Sequence, residues 1–250
     1  MAAVTHLDRA PITEALIDIR VKLKDGLDVA IFNSLRDKIA SDYPSKKERR
    51  RWQGTIEFKQ GETPIPAGLD LGSDGLLLTS SDEKQVVQAR LDGFTFSRLK
   101  PYKTWDDLLL EAKKNWNLYL ETAKPEVISR IALRYINNIE FPLGGLDFDD
   151  YLTSVPKVPK GLPQRLASFV SRVVVPVVES NATAIVTQVF EPNLGQAQNV
   201  INVLLDIDVF VESQFSPNDE TIWAEFAKLH NLKNLIFFDS ITPKTVELLK

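Results

Sequence analysis

The sequence predicts an α+β protein in which antiparallel strands form curved sheets with helices on one face. Two long stretches, Ile12 to Leu23 and Val127 to Glu140, alternate charged and apolar residues as half-buried strands do. Each opens a similar series of elements: strand, helix, three or four strands, helix. The series is read twice, which predicts two pseudo-repeated units, 1–125 and 126–250, either separate or fused into one continuous domain.

The elements follow in order. On the opening strand Glu14, Asp18, Arg20 and Lys22 share one face, and Ala15, Ile17, Ile19, Val21 and Leu23 share the other. Gly26 to Pro44 has the period of a helix, with Leu27, Ala30, Ile31, Leu35 and Ile39 on its apolar side. After a basic segment, Trp52 to Gln60, Gly75 to Ser80 and Lys84 to Arg98 have strand character, with Gly93 marking a bulge in the last. Thr104 is placed to cap a helix whose buried stripe is Leu108, Leu109, Ala112, Trp116 and Leu120, and Pro125 ends it. The second series runs from the Val127 strand through a short helical piece at Phe148 to Leu152. Strands Ala167 to Val178, Ala182 to Phe190 and Val200 to Glu212 come next. A helix capped by Ser216, with Pro217 at its first position, is expected to stop near Asn231, and Thr242-Pro243 begins a last short helix. The Pro-rich stretch Pro156 to Pro163 falls inside the second unit.

Composition removes much chemistry. The chain of 250 residues is 44% hydrophobic and 26% charged, the balance of an ordinary globular protein. It has no cysteine, which excludes disulfides and thiolate chemistry, and two histidines cannot build a three-histidine metal site. No cofactor or metal is expected. A net charge of −4 gives no global attraction to polyanions. No apolar run reaches the ~20 residues that span a bilayer, and Met1 to Arg9 lacks a signal-peptide pattern, so the expected location is the cytoplasm.

The charged sheet face is the candidate site. Glu14, Asp18, Arg20, Arg90, Arg130, Arg134, Asp206 and Asp208 are its candidate ligand-binding residues, with Asp92 and Glu212 nearby. Arginines suit a phosphate and carboxylates suit a metal, so convergence of these residues would make a site for a small anionic ligand. The plainer reading is a solvated face closed by cross-strand ion pairs, such as Arg134 with Asp18.

Other features are less specific. Lys46, Lys47, Arg49, Arg50 and Arg51 with Trp52 form a basic, aromatic-ended run that suits a nucleic-acid backbone, although such runs are commonly solvated loops or helix ends. His6 lacks a triad partner at a telling spacing, and His230 is expected at a helix end, where a cationic imidazole is favourable. Phe94, Phe96 and Tyr102 suit packing under a helix better than stacking on a ligand. No phosphate-cradling loop or nucleophile elbow occurs, and Gly144-Gly145 lies in a plain turn.

The run Leu7-x-x-Ala10-Pro11-Ile12-x-Glu14-Ala15-Leu16-Ile17-Asp18-Ile19-Arg20 resembles the start of a sporadically distributed family of uncharacterised bacterial proteins of about this length. Arg90 to Leu99, Pro101-Tyr102, Trp105, Arg134 to Asn137 and Phe238-x-Ser240-Ile241-Thr242 resemble further signatures of that family. The resemblance spans nearly the whole chain and implies a full-length unit, but no activity. The order of elements also resembles the duplication of the TATA-binding protein, which implies nothing about DNA. The favoured reading is a non-enzymatic ligand- or protein-binding, regulatory protein, with a homodimer compatible. The alternative is a metal-dependent phosphohydrolase or nucleotide-binding enzyme, with Glu14, Asp18, Asp206 and Asp208 on Mg²⁺ and Arg90, Arg130 and Arg134 on phosphates. A third is a nucleic-acid partner working through residues 46–52.

Overall fold

Alternation along the strands sets the architecture of the computed structural model, which describes residues 7–57, 65–142, 147–191 and 200–250, with side chains described except at 52–57 and 65–69. Strands β1 (Ile12–Lys22), β2 (Ser45–Glu57), β3 (Ile65–Thr79), β4 (Gln85–Arg90), β5 (Gly93–Leu99), β6 (Val127–Pro142), β7 (Phe169–Val177), β8 (Ala182–Phe190) and β9 (Val200–Phe215) form one sheet. Its order is β2-β3-β4-β5-β1-β6-β9-β8-β7, and every pairing is antiparallel. The expected sheets are therefore continuous, joined where β1 lies against β6 with Ile17 opposite Leu133.

The odd-numbered residues of β1 face the helices. Ala15, Ile17 and Ile19 are fully buried, as are their cross-strand neighbours Phe94, Phe96, Ile131 and Leu133. Helix α2 (Trp105–Ala123) covers β1 and β5, with Trp116 and Tyr119 packed on Phe94. Its first turn is capped by Thr104, whose hydroxyl accepts from Asp107 N, and it ends at Lys124 in the left-handed conformation, just before Pro125. Helix α1 (Phe32–Ile39) packs on α2. Helix α3 (Thr221–Ser240) covers β6 and β9, and α4 (Pro243–Leu249) is capped by Thr242. No helix among the described residues is long and apolar enough to cross a membrane.

Several expectations are corrected. The first helix is shorter than Gly26 to Pro44: Asp28 caps a 3-10 turn at Val29–Ile31, and Leu27 and Ala30 are exposed, so Phe32, Leu35 and Ile39 make the buried side. Lys84 to Arg98 is not one bulged strand but a hairpin, in which Leu91-Asp92 forms the turn and Gly93 opens β5. The strand placed at Trp52 begins at Ser45, so the basic run lies inside β2. Helix α3 starts at Thr221 and continues through Asn231 to Ser240, because Lys233 and Phe237 extend the buried stripe of Phe226 and Leu229. His6 and Gly144-Gly145 lie outside the described residues.

Candidate functional site

Alternation and register bring the predicted charges together on the face away from the helices. Between β1 and β6, Arg20 opposes Arg130 and Leu16 opposes Arg134. Between β6 and β9, Arg130 opposes Glu212, Arg134 opposes Asp208 and Ile136 opposes Asp206.

Asp18 is the hub. Its Oδ2 accepts hydrogen bonds from Arg90 Nη2 at 2.8 Å and Thr95 Oγ1 at 2.7 Å. Its Oδ1 accepts from Arg20 Nε at 3.1 Å and Arg130 Nη1 at 3.5 Å. Burial alone would raise the Asp18 carboxyl, but the charges of Arg90 and Arg20, with hydrogen bonds from Arg90 and Thr95, hold it below the usual range.

Arg90 is 3% exposed, an unusual burial for a guanidinium. It donates from Nε to Asp92 Oδ1 at 2.9 Å and from Nη1 to Thr95 Oγ1. Two glycines lie beside it where the strands approach closely. A Cβ on Gly75 would lie 2.4 Å from Ala89 O and 3.1 Å from Arg90 Cγ, and one on Gly93 would lie 2.4 Å from Ile19 O and 3.1 Å from Arg90 Nη2. Gly93 also has φ +155, a backbone state that L side chains rarely adopt.

The pairing continues outward. Arg20 reaches Asp92, and Arg130 Nη2 donates to Asp208 at 3.2 Å while its guanidinium lies 4.2 Å from the Phe210 ring centroid. Arg134 forks onto Asp206, with Nε to Oδ1 at 2.8 Å and Nη2 to Oδ2 at 2.5 Å. The expected Arg134–Asp18 pair is thus replaced, because Arg134 lies one row along the strand from Asp18 and nearer β9. Asp208 stays above the usual carboxyl range through burial. Arg130 and Arg134 oppose that shift, while Asp206 and Asp18 add like charge.

The eight-residue set is largely assembled, but not as a vacant site. Arg20, Arg90, Arg130 and Arg134 are matched by Asp18, Asp92, Asp206 and Asp208. Glu14 forms no ion pair among the described residues, and the side chain of Arg134, 42% exposed, is the most open arginine of the set. No group of three His, Asp or Glu side chains among the described residues could hold a metal ion. The carboxylates proposed for Mg²⁺ therefore do not converge as a ligand set, since arginines separate them.

The basic run is dispersed by its strand. Arg49 pairs with Asp74, Arg50 with Asp70, and Lys46 donates to Asn33 Oδ1 at 3.1 Å. Lys47 and Arg51 have no such partner among the described residues, and the Trp52 side chain lies outside the described side chains. Arg49 and Arg50 are neutralised by these carboxylates, and the register shifts on either side of Arg50 break the regular alternation of the run.

A second constellation lies under α3. Lys233 is 7% exposed, and its Nζ sits 3.8 Å from the Tyr135 ring centroid with no carboxylate partner among the described residues. Burial pulls the amine down to about 7. His230, expected at a helix end, is instead mid-helix and stacked on Trp105 with ring centroids 4.4 Å apart; burial first, then Lys233, depresses its imidazole to about 4. Tyr102 and Tyr135 share a 2.8 Å hydroxyl contact, so Tyr102 belongs to this cluster, while Phe94 and Phe96 are buried under α2. The spacing of Phe226, Leu229, Lys233 and Phe237 was the available signal for Lys233. Compared with known proteins, the chain matches no family model and no curated protein.

Proposed function

We propose that the chain is a non-enzymatic ligand- or protein-binding protein whose charged sheet face is structural. The observation that carries this reading is the matching of four arginines by four aspartates across β4, β1, β6 and β9 and the β4–β5 turn. A catalytic carboxylate must be free to move a proton or hold a cation, and Asp18 and Asp206 are each occupied by guanidinium groups. Titration with ATP and Mg²⁺ tests the reading. No heat and no turnover are expected; turnover that disappears in Arg134→Ala would overturn it.

The second reading is a phosphate-binding enzyme. It is favoured by the open Arg134 side chain and by Asp208, whose carboxyl burial raises above the usual range. Saturable ATP binding lost in Asp206→Ala would support it. The nucleic-acid reading through 46–52 has less support, since Arg49 and Arg50 already have carboxylate partners.

We also take the nine strands as two copies of one unit, 1–125 and 126–250, in the manner of the TATA-binding protein. Outward from the centre the order runs β1, β5, β4, β3, β2 on one side and β6, β9, β8, β7 on the other. Each unit thus places its opening strand beside its last. The resemblance to a bacterial family and a cytoplasmic location belong to the same proposal.

A further inference from the structure

The two halves of the sheet are covered unequally. Around β5 and β1, α2 with α1 behind it closes the apolar face, whereas α3 packs on β6 and β9 and leaves the helix side of β7 and β8 partly open. A groove of about 300 Å³ results between α3 and these strands. Its walls are aliphatic: Val173, Val175, Val186, Leu232, Leu235 and Ile236. Val173, Val175 and Leu235 are 50%, 46% and 56% exposed, so they are held at a surface that water must wet.

Gln188 gives this groove a specific polar point. It is 6% exposed, lines the groove opposite Ser171 of β7, and its amide forms no hydrogen bond with another described residue. The amide is not among the fully buried unpaired groups of the described residues, so it is reached through the groove, and a ligand that both donates and accepts can take the place of water on it. The groove's charged lining residue is Asp239, which is paired with no cation among the described residues. An acid at the rim disfavours carboxylate or phosphate heads and favours neutral or cationic ones.

We propose that this groove binds a small branched-aliphatic molecule with a carboxamide head and a neutral or cationic charge, of which an amino-acid amide is the simplest member. The aliphatic part lies on the valines of β7 and β8 and on Leu235, and the carboxamide pairs with Gln188 through one donated and one accepted hydrogen bond. Asp239 attracts an amine beside it. A volume near 300 Å³ is at the lower end for small-molecule sites, which fits a ligand of this size. The proposal rests on the binding-protein reading only in assigning the chain a ligand. The sheet face is not involved, so the ATP titration can fail or succeed independently.

The test is a methyl-NMR titration of the full chain with leucinamide, and with isovalerate as the anionic control. Val173, Val175 and Leu235 methyls should shift saturably with leucinamide up to roughly 10 mM, and not with isovalerate. Gln188→Leu should weaken binding about tenfold, the loss of one well-made polar contact pair. Leu235→Trp, at an exposed position where an indole fills the groove, should abolish it. Absent shifts, equal response to isovalerate, or binding unchanged in Leu235→Trp would each overturn the proposal.

Discussion

Arg90 on β4 reaches across β5 to place Nη2 2.8 Å from Asp18 Oδ2 on β1. The side chain passes beside Gly93, at the start of β5, where a Cβ would lie 2.4 Å from Ile19 O and 3.1 Å from Arg90 Nη2. The pair ties the centre of the sheet to its hairpin extension through a charge that has almost no access to water.

Removing one partner should therefore cost more than removing both. Asp18→Ala leaves Arg90 buried and under-compensated, with an expected loss of about 3–5 kcal/mol. The double change Asp18→Leu with Arg90→Met should be clearly milder, since the most deeply buried guanidinium goes together with its partner. Urea denaturation of the three proteins measures the difference. A loss below about 1 kcal/mol in Asp18→Ala would place the pair with ordinary surface bridges.

Much of this site was legible in the sequence because alternation is local. Which residues of β1 and β6 share a face follows from parity alone, and Glu14, Asp18, Arg20, Arg130 and Arg134 were placed on one side by it. Partners depend on register, which parity does not fix. Parity allows Arg134 to face Asp18, whereas the register of β9 supplies Asp206. The hairpin at Leu91-Asp92 has a signal in Asp92-Gly93, but strand-like residues run on both sides of it from Gln85 to Leu99, so the glycine is equally compatible with a bulge in one long strand. Lys233 is hidden for another reason: a lysine in an apolar stripe looks like its polar edge until a neighbouring ring, here Tyr135, receives it.

Asp18 and Asp208 should respond to acid in opposite senses. The Asp18 carboxyl is lowered in the fold, so its stabilisation is present above the unfolded value of 3.8 and is lost as pH falls through the lower folded value. Asp208 is raised, so its ionised form is unfavourable at neutral pH. At pH 7, Asp208→Asn should be neutral or stabilise by up to about 1 kcal/mol, while Asp18→Asn destabilises. Thermal melts of both variants from neutral pH to below 3.8 should show both differences shrinking. A stronger loss in Asp208→Asn than in Asp18→Asn at pH 7 would contradict the assignment.

His230 should make the fold acid-sensitive in a separate window. Its folded value of about 4 lies below the unfolded 6.5, so the unfolded chain binds the extra proton between them and stability falls as pH drops across that interval. Since the ring is part-exposed, the expected effect is about 1–2 kcal/mol. His230→Phe keeps an aromatic ring to stack on Trp105 and removes the titration. The difference between variant and wild type should change between pH 6.5 and about 4 and be flat above 6.5.

Lys233 extends the same logic to alkaline pH. Burial lowers its amine to about 7 from 10.5, and the Tyr135 ring offers a charged lysine only partial compensation. Below pH 7 the buried charge penalises the fold in full. As pH rises from about 7 toward 10.5 the folded protein releases its proton before the unfolded chain does, and stability increases. Above 10 the tyrosines oppose this, because Tyr102 and Tyr43 are raised to about 12 by burial and their stabilisation is lost through that value. The rise should therefore be clearest between pH 7 and 10. Lys233→Met should stabilise the protein at pH 6 by about 1–3 kcal/mol, with the advantage over wild type narrowing toward pH 10. Chemical denaturation across that range decides it. A pH-independent difference would mean that Lys233 stays protonated in the fold, held by the Tyr135 ring and by water at the end of its side chain.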